Sequence, residues 1–284
     1  MSYFPIDQTT LQDIVGFGVA GNFAGHLEQA GETPDFVNVK TATTNAPKGI
    51  FPYYVKSSDK QLGVYPLSST EIRYPENLAD NAHLQAEPEV CVLFNVEYDD
   101  GKVIELKPQA FAAFNDCSIR KPGAKKISEK KNWGKATKGV AEQFIEMNSF
   151  KPDCELDTFR IASFLIRDGQ IHAYGKDSSV LTYSYFHQQL NDWMIEKLNQ
   201  QQDFGPLENL HQILQQAQYP AQIMVSLGAT TYTEFGESVF LQPGDQVAIY
   251  VYDASLNSAD EVYAHLTGEL AELKNSSILQ QKIV

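Results

Sequence analysis

Three acidic residues have the types and the spacing to bind a divalent cation. Glu87 and Glu89 flank Pro88 at the start of an apolar run, and Asp116 follows 27 residues after Glu89. On a β-strand, residues i and i+2 point to the same face, with Cα atoms about 6.6 Å apart. Carboxylates this close repel each other unless a cation lies between them, and Mg²⁺ and Ca²⁺ prefer carboxylate oxygens. We therefore expect Glu87, Glu89 and Asp116 to be metal ligands if Asp116 arrives on a neighbouring strand. The alternative for the glutamates alone is an acidic strand start on an acidic protein.

The residues around these acids resemble the fumarylacetoacetate hydrolase superfamily. That family has a loop histidine, a Glu-x-Glu pair at the start of a strand, an Asn-Asp-x-Ser-x-Arg stretch and a later Lys-Gly pair. The corresponding segments are, in chain order, Asn22-Phe23-Ala24-Gly25-His26, Tyr53-Tyr54-Val55-Lys56, Glu87-Pro88-Glu89, Asn115-Asp116-Cys117-Ser118-Ile119-Arg120, Lys138-Gly139 and Phe240-Leu241-Gln242-Pro243-Gly244-Asp245. Because the matches keep the family's order over most of the chain, the sequence is identified as similar to a divergent member of this superfamily.

The resemblance implies an enzyme that acts on a small 2-oxo or β-dicarbonyl acid through an enolate. The reaction would be C–C bond hydrolysis, decarboxylation or keto–enol isomerisation, with Mg²⁺ (or Mn²⁺ or Ca²⁺) as Lewis acid. His26 is the candidate base, because neutral imidazole suits that role near pH 7, and Glu28 is the candidate to orient it. Lys138 would stabilise an oxyanion or donate a proton. Arg120 would hold a carboxylate or pair with a site acid as scaffold. A surface lysine and a polar loop histidine are the alternatives for Lys138 and His26.

The substrate end of the site departs from the family pattern. The resemblance implies substrate-binding roles for Asn22, Lys56, Ser118 and Thr230. A glutamate three residues after the loop histidine is replaced by Gln29, and a Gly-Thr-Pro-x-Gly motif by Gly228-Ala229-Thr230-Thr231-Tyr232. Gln29 favours decarboxylation or isomerisation over hydrolysis. The altered glycine segment supports an alternative, a non-catalytic ligand-binding protein with the same fold.

A second motif competes with this interpretation. Gly16-Phe17-Gly18-Val19-Ala20-Gly21 has the G-x-G-x-x-G spacing of a dinucleotide-binding turn, and Asp35 lies 19 residues after Gly16. The strand before it would be very short, and no regular βαβ series follows. We therefore favour a flexible, glycine-rich lid that lets Asn22 and His26 approach the site. A nucleotide-binding protein is the less favoured alternative.

Composition limits the partners. The formal net charge is −14 and the pI is about 4.8, which argues against nucleic acid and anionic membranes, since both require a basic face. An oxo-acid substrate remains possible, because a bound cation and the eight Lys or Arg residues between Arg120 and Lys138 can reverse the local charge. No apolar run approaches about 18 residues, no signal peptide is apparent, and the three cysteines fit no zinc spacing. We expect a cytoplasmic protein.

The pattern along the chain predicts a strand-rich α+β fold, with a mixed β-roll or β-sandwich core and a few covering helices. Residues 1–75 are expected to form an N-terminal cap and lid region, and residues 76–284 the catalytic core. The predicted strands are 90–96, 103–106, 110–114, 158–166, 171–174, 222–226 and 246–252. The predicted helices are 183–199, 207–217 and 259–273. The resemblance, together with the apolar late strands, also implies a homodimer.

Overall fold

The computed structural model describes residues 2–6 and 8–284, and strands predominate in it. The strands are, in chain order, β1 Tyr3–Phe4, β2 Val15–Ala20, β3 Gly49–Tyr54, β4 Leu67–Ser68, β5 Glu71–Ile72, β6 His83–Gln85, β7 Pro88–Asp99, β8 Lys102–Asn115, β9 Ser118–Arg120, β10 Lys138–Val140, β11 Phe144–Glu146, β12 Phe159–Arg167, β13 Gln170–Ser179, β14 Gln222–Ser226, β15 Gln246–Asp253 and β16 Ser276–Ile283. The α-helices are α1 Gln8–Asp13, α2 His26–Gln29, α3 His187–Gln200, α4 Leu210–Gln216, α5 Glu234–Ser238 and α6 Ala259–Thr267.

Two large sheets form the core. A nine-stranded sheet has the order β1-β11-β8-β7-β14-β2-β3, with β10 and β4 attached beside β8. A five-stranded sheet has the order β13-β12-β15-β16-β5, and β6 pairs with β9. Strands β7 and β8 contact β12 and β15 of the second sheet, while α3 contacts β3 and β8. Because the first half of β7 is thus enclosed on both sides, residues 88–94 are all buried. The predicted α+β class is confirmed.

Local sequence features explain the buried face of α3 and the two ends of α6. Helix α3 buries Leu190, Trp193, Met194 and Leu198, as its 3.6-residue period predicts. The Ser258 side chain and Glu261 form a capping box at the start of α6. Gly268, with φ 81°, ends α6 earlier than the predicted helix 259–273. None of the helices in residues 2–6 and 8–284 is both long and apolar enough to cross a membrane.

The N-terminal glycine motif lies in a core strand. Strand β2 is buried between β14, with which it is parallel, and β3, with which it is antiparallel. A Cβ added to Gly16 would lie 2.1 Å from the Tyr53 ring, and one added to Gly18 would lie 2.3 Å from the Phe51 ring. These glycines therefore make room for aromatic rings, and the helix that follows, α2, has only four residues. This placement argues against the nucleotide-binding interpretation, and residues 16–20 belong to a buried strand and not to a loop.

Strands from both predicted regions share one sheet. Strands β2 and β3 come from the segment predicted as a cap, and β7, β8 and β14 come from the predicted core. One apolar cluster extends from Leu11 to Ile283 and includes residues of both regions. The part of the first 75 residues that lies outside the large sheets, after Ala20, includes α2 and the 3-10 turn Thr33–Phe36.

Candidate functional site

The pairing of β7 with β8 brings the three acids together. Glu87 immediately precedes β7, Glu89 is its second residue, and Asp116 immediately follows β8. Pro88 is paired with Asn115, and the Asp116 amide donates to the Glu87 carbonyl at 3.0 Å. The Asn115 side-chain oxygen accepts from the Glu87 amide at 3.1 Å, which fixes the end of the ladder. The i, i+2 spacing and the strand register together place all three side chains at one end of the hairpin.

These acids form a dense, buried group. Glu87, Glu89 and Asp116 are at most 4% exposed, and each offers an oxygen within 4.8 Å of the others. Burial, together with the charges of Asp116 and Glu87, raises the pKa of Glu89 well above its usual range. Burial also raises the pKa of Asp116. Burial acts in the same direction on Glu87, but Lys131 and Arg120 outweigh it and hold that pKa well below the usual range. Of the three acids, Glu89 is therefore the one whose ionised form the neighbouring cations stabilise least.

Acidic and basic side chains alternate along a connected series of ion pairs that passes through this group. The series, which we call the ion-pair chain, runs in the order Asp35, Lys130, Glu32, Arg120, Glu87, Lys131, Asp116 and Lys138. The nitrogen–oxygen distances range from 2.5 to 3.1 Å. All members except Asp35 have side chains that are less than 10% exposed. Because buried charges are costly without partners, the alternation explains how so many ionised groups share one interior.

Lys131 lies between two of the acids, and the sequence analysis did not single it out. Its Nζ is 2.8 Å from Oε2 of Glu87 and 2.5 Å from Oδ2 of Asp116, and the residue is 2% exposed. The ammonium also lies 5.0 Å from the centre of the Phe51 ring. The sequence signal is weak: three buried carboxylates need cations, and residues 120–138 supply eight, but nothing in the spacing selects Lys131.

Lys138 and Arg120 flank the acids on opposite sides. Lys138 is fully buried, with Nζ 3.1 Å from Oδ1 of Asp116 and a further hydrogen bond to the Cys117 carbonyl. Burial lowers the pKa of Lys138. Arg120 donates to Glu32 at 2.7 Å and lies 2.8 Å from Oε1 of Glu87.

Arg120 is otherwise fully engaged. It donates to Gln85 at 2.7 Å and to the Tyr232 hydroxyl at 3.1 Å. These contacts, with those to Glu32 and Glu87, favour the scaffolding alternative for Arg120 over the binding of a substrate carboxylate.

His26 faces the same interior but is oriented differently from the expectation. Its Nδ1 lies 3.0 Å from the Thr230 carbonyl oxygen, which can only accept, so Nδ1 carries the proton. Nε2 of the neutral ring then keeps its lone pair. Burial lowers the pKa of His26, which favours this neutral form. The structure does not bring Glu28 to His26, since Glu28 is exposed and no bond joins the two side chains among the described residues.

The four predicted substrate-binding residues have different environments. Asn22 is buried, donates to the Tyr185 and Leu227 carbonyls, and accepts from the Tyr185 amide, so its amide holds the loop. The hydroxyl of buried Ser118 donates to the Asp116 carbonyl at 2.9 Å.

The other two predicted residues contrast with these. Thr230 has a buried hydroxyl that has no hydrogen-bond partner in the described part of the chain. Lys56 lies outside the site: its side chain is 63% exposed and pairs with Asp13. Of the four predicted substrate-binding residues, Asn22 and Ser118 form hydrogen bonds with the backbone. Thr230 has a buried hydroxyl without a partner in the described part of the chain.

A small cavity lies against the acids. It is lined by Asn22, Phe23, His26, Glu32, Phe51, Glu87, Glu89, Asp116, Ile127, Lys131 and neighbouring residues. Its volume is about 20 Å³, which is room for about one water molecule. The residues between Gly21 and Leu27 form one wall, so this segment covers the acids.

A separate group, outside the cavity, joins Cys154, Asp157 and His187, whose candidate ligand atoms also lie within 4.8 Å of one another. Asp157 Oδ1 lies 2.6 Å from His187 Nε2 and accepts from the Cys154 thiol at 3.2 Å. Burial and this bond raise the pKa of Cys154 to about 12, so the thiol stays protonated. Hydrogen bonds alone account for this group.

Comparison with solved structures identifies the fold. Cg1458, in an inhibitor complex, is 16% identical, with a TM-score of 0.53, covering 95% of this chain and 76% of its own. A 2-keto-3-deoxyarabinonate dehydratase is 13% identical, with a TM-score of 0.50, covering 95% and 73%. Fumarylpyruvate hydrolase from Pseudomonas aeruginosa, with Mn²⁺ and pyruvate, is 12% identical, with a TM-score of 0.48, covering 95% and 89%. The first two show that this chain has the fold of the fumarylacetoacetate hydrolase superfamily.

A family model matches most of the sequence. Residues 32–283 match the family described as "Family of unknown function (DUF5718)". The chain belongs to this family. No curated protein matches the sequence.

Proposed function

We propose that the protein is a divalent-metal-dependent enzyme that acts on a small 2-oxo or β-dicarbonyl acid through an enolate. One observation carries the proposal: three buried carboxylates of β7 and β8 converge within 4.8 Å at a cavity that His26 also lines. Three carboxylates this close oppose one another's ionisation unless cations lie among them.

The donor set fits a hard cation. Glu87, Glu89 and Asp116 offer only oxygen atoms, which Mg²⁺, Mn²⁺ and Ca²⁺ prefer. An ammonium group, that of Lys131, already lies between two of the acids, so a positive charge is stabilised at this point. Burial, followed by the charges of Asp116 and Glu87, raises the pKa of Glu89, so a cation bound beside it would favour its ionised form. We infer that these three residues would hold Mg²⁺, or Mn²⁺ or Ca²⁺ in its place.

The chain's own groups supply the acid–base chemistry. When bound, the cation would polarise the 2-oxo group as a Lewis acid. His26 would accept a proton at Nε2, because Nδ1 is committed to the Thr230 carbonyl. Lys138 would stabilise negative charge on the substrate from its position beside Asp116. The Thr230 hydroxyl lies beside Gly175 and not among the residues that line the cavity, so Thr230 acts here through its carbonyl, which orients His26. Closure of the cavity would keep bulk water out.

The choice between reaction types rests on Gln29. Its amide oxygen accepts from the Tyr232 amide at 2.8 Å, and its nitrogen donates to the Tyr232 carbonyl at 3.2 Å. Gln29 therefore ties α2 to the segment that carries Thr230, and it offers no carboxylate to activate water. This favours decarboxylation or isomerisation over hydrolysis. The activity named for the structurally similar dehydratase, on a 2-keto acid, supports the substrate class.

Two measurements test the proposal. Mg²⁺, Mn²⁺ or Ca²⁺ should raise the melting temperature by ligand linkage, which amounts to about 2.7 kcal/mol at a hundred times the dissociation constant. NAD(H) should have no effect. A screen of 2-oxo acids, beginning with oxaloacetate and acylpyruvates, should then find turnover that depends on the metal. Absence of any metal response would contradict the proposal.

The main alternative is a non-catalytic protein that keeps the fold and binds a ligand. The small volume of the cavity and the scaffold contacts of Arg120 favour it. It predicts a metal or oxo-acid response in the thermal scan without turnover of any acid in the screen. We also propose a homodimer, on the resemblance to the superfamily, and a monomer mass by light scattering would contradict it.

A further inference from the structure

We propose that Lys131 is a built-in cation of this site, and that its ammonium and a divalent metal ion exclude each other from the space between Glu87 and Asp116. The inference rests on the proposed metal site and assigns a role to a residue outside the acid triad. It begins with the contacts of the individual carboxylate oxygens.

Every oxygen of these two acids already faces a cation. Oε1 of Glu87 lies 2.8 Å from Arg120, and Oδ1 of Asp116 lies 3.1 Å from Lys138. The remaining two oxygens, Oε2 of Glu87 and Oδ2 of Asp116, both point at the same nitrogen, Nζ of Lys131. Lys131 is thus the one group whose departure frees one oxygen on each acid.

The position of this nitrogen matches that of a metal ion. The contact of 2.5 Å lies within the roughly 2.0–2.6 Å that Mg²⁺ and Ca²⁺ make with oxygen, and the contact of 2.8 Å is only slightly longer. An ion bound by the same two oxygens would overlap the ammonium, and two cations so close would repel strongly in a buried site. Glu89 would supply the third oxygen. The Gly228 amide donates to its Oε2 at 2.8 Å and so orients this carboxylate.

The count of buried charges leads to the same conclusion. The ion-pair chain already contains four carboxylates, Asp35, Glu32, Glu87 and Asp116, and four cations, Lys130, Arg120, Lys131 and Lys138, with Glu89 outside it. A divalent ion added to this set would leave two uncompensated positive charges in the interior. Displacement of the Lys131 ammonium moves one positive charge away from the ion, and Glu89 and the anionic substrate would offset the excess.

The displaced side chain has a nearby alternative position. Glu32 lines the same cavity, and its charge already acts on Lys131. The Phe51 ring also lines the cavity, and its face attracts a cation. The amine can therefore move toward Glu32 and remain paired without leaving the protein. Metal entry and the position of Lys131 would be coupled.

The decisive variant is Lys131→Met, with Lys130→Met as its matched control. Both remove one buried positive charge from the same segment, but Lys130 contacts Glu32 and Asp35 rather than the triad. In Lys131→Met, Glu87 keeps Arg120 at 2.8 Å and Asp116 keeps Lys138 at 3.1 Å, so each acid retains one cation in contact although it loses the hydrogen bond from Lys131. Mn²⁺ binding is measured directly, by loss of the free-ion electron paramagnetic resonance signal, without any substrate.

The expected result is a Mn²⁺ affinity roughly tenfold or more higher in Lys131→Met than in the parent, with little change in Lys130→Met. Equal affinity in the parent and Lys131→Met overturns the proposal, and so does an equal gain in both variants, which would indicate a general charge effect. Binding by Lys131→Met alone supports a built-in cation but contradicts metal dependence of the parent protein. Binding by no form overturns both, because removal of the amine would then open no cation site.

A measurement on the unaltered protein covers the case in which Lys131→Met does not fold. Mild amine acetylation followed by peptide mass spectrometry reports the accessibility of Lys131 and of its neighbour Lys130 in one experiment. Saturating Mg²⁺ should change modification of Lys131 several-fold, because its amine leaves Glu87 and Asp116 for the cavity beside Glu32, and should leave Lys130 unchanged. Unchanged modification of Lys131, under conditions in which Mg²⁺ raises the melting temperature, would show that the amine stays in place and would overturn the proposal.

Discussion

His26 donates from Nδ1 to the backbone carbonyl of Thr230, 204 residues away in the sequence, across 3.0 Å. A carbonyl holds the ring in one tautomer as well as a carboxylate does, but it adds no negative charge that would raise the pKa of the ring. Burial lowers the pKa of the ring. His26 therefore stays neutral, and Nε2 is its basic atom. The orienting role that the sequence suggested for Glu28 thus belongs to the segment Gly228–Tyr232.

The first prediction concerns this base. His26→Ala should lower turnover of the oxo-acid substrate by roughly 10²–10⁴, the usual contribution of general acid–base catalysis. The shift of melting temperature on adding Mg²⁺ should remain, because His26 supplies none of the carboxylate oxygens that would bind the ion. Glu28→Gln, in the same assay, should retain turnover, since exposed Glu28 does not contact the ring. A loss in Glu28→Gln as large as in His26→Ala would restore the carboxylate to the orienting role.

The second prediction separates metal binding from chemistry. Glu89→Gln and Asp116→Asn should abolish both metal-induced stabilisation and turnover, because a hard cation's site weakens when it loses an anionic ligand. Lys138→Met should keep the metal response and lose turnover, since the methylene stem retains its packing while the donor is lost. Thermal scans with and without Mn²⁺, alongside the kinetic assay, provide both readouts. If Asp116→Asn responds to Mn²⁺ like the parent protein, the assignment of the triad is wrong.

The third prediction follows from a glutamate outside the site. Glu208 accepts a hydrogen bond from Ser128, but its Oε2 is buried without a partner. Burial raises its pKa from 4.5 to about 7, so the folded state binds this proton more tightly than the unfolded state. The stability it contributes is therefore complete below pH 4.5 and is lost as the pH rises through about 7. A shift of this size corresponds to about 3 kcal/mol in the free energy of unfolding.

Glu208→Gln tests this sign. The free energy of unfolding in urea, measured from pH 4.5 to 8, should fall less steeply in the variant than in the parent. Glu76→Gln, at an exposed position, is the control and should follow the parent curve. Parallel curves for Glu208→Gln and the parent would show that the carboxyl group titrates alike in the folded and unfolded states.

The hairpin that carries the acids could be predicted from the sequence because its information is local. The apolar run after Glu89 and the period-2 rule define β7, and Asp116 follows the next strong strand. The turn between β12 and β13 is also local, since the adjacent residues Asp168 and Gly169 both adopt the positive φ that a tight hairpin requires. In each case neighbouring residues determine the structure.

The parts that could not be predicted depend on distant residues. Nothing near Gly16 indicates a buried strand, because its glycines are required by the Tyr53 ring of β3. The role of Lys131 depends on two carboxylates from β7 and β8. The hydrogen bond that fixes His26 comes from a residue near the other end of the chain. A single sequence states which groups exist but not which of several similar lysines or carbonyls reaches the site.

The last prediction concerns access to the cavity. The cavity has room for about one water molecule, so an oxo-acid can enter only if one wall moves. The wall formed by residues 21–31 is the suitable part. Gly21, Gly25 and Gly31 have positive φ, and α2 has four residues with hydrogen bonds of 2.9–3.3 Å around it. Such a short helix is marginal without its tertiary contacts. Strand β2, which leads into it, is instead buried and paired on both sides, with β14 and β3 of the large sheet.

We therefore expect amide hydrogen exchange to be fast in residues 21–31 and slow in β2, with the boundary near Ala20. Oxalate, a small anion that resembles the end of a 2-oxo acid, should slow exchange in residues 21–31 when added with Mg²⁺, because closure over a bound ligand protects the segment. Exchange in β2 is the internal control and should not change, since its amides are already held in the sheet. Equal exchange in residues 21–31 with and without the ligand would mean that another wall opens, and the segment would then be a fixed part of the site.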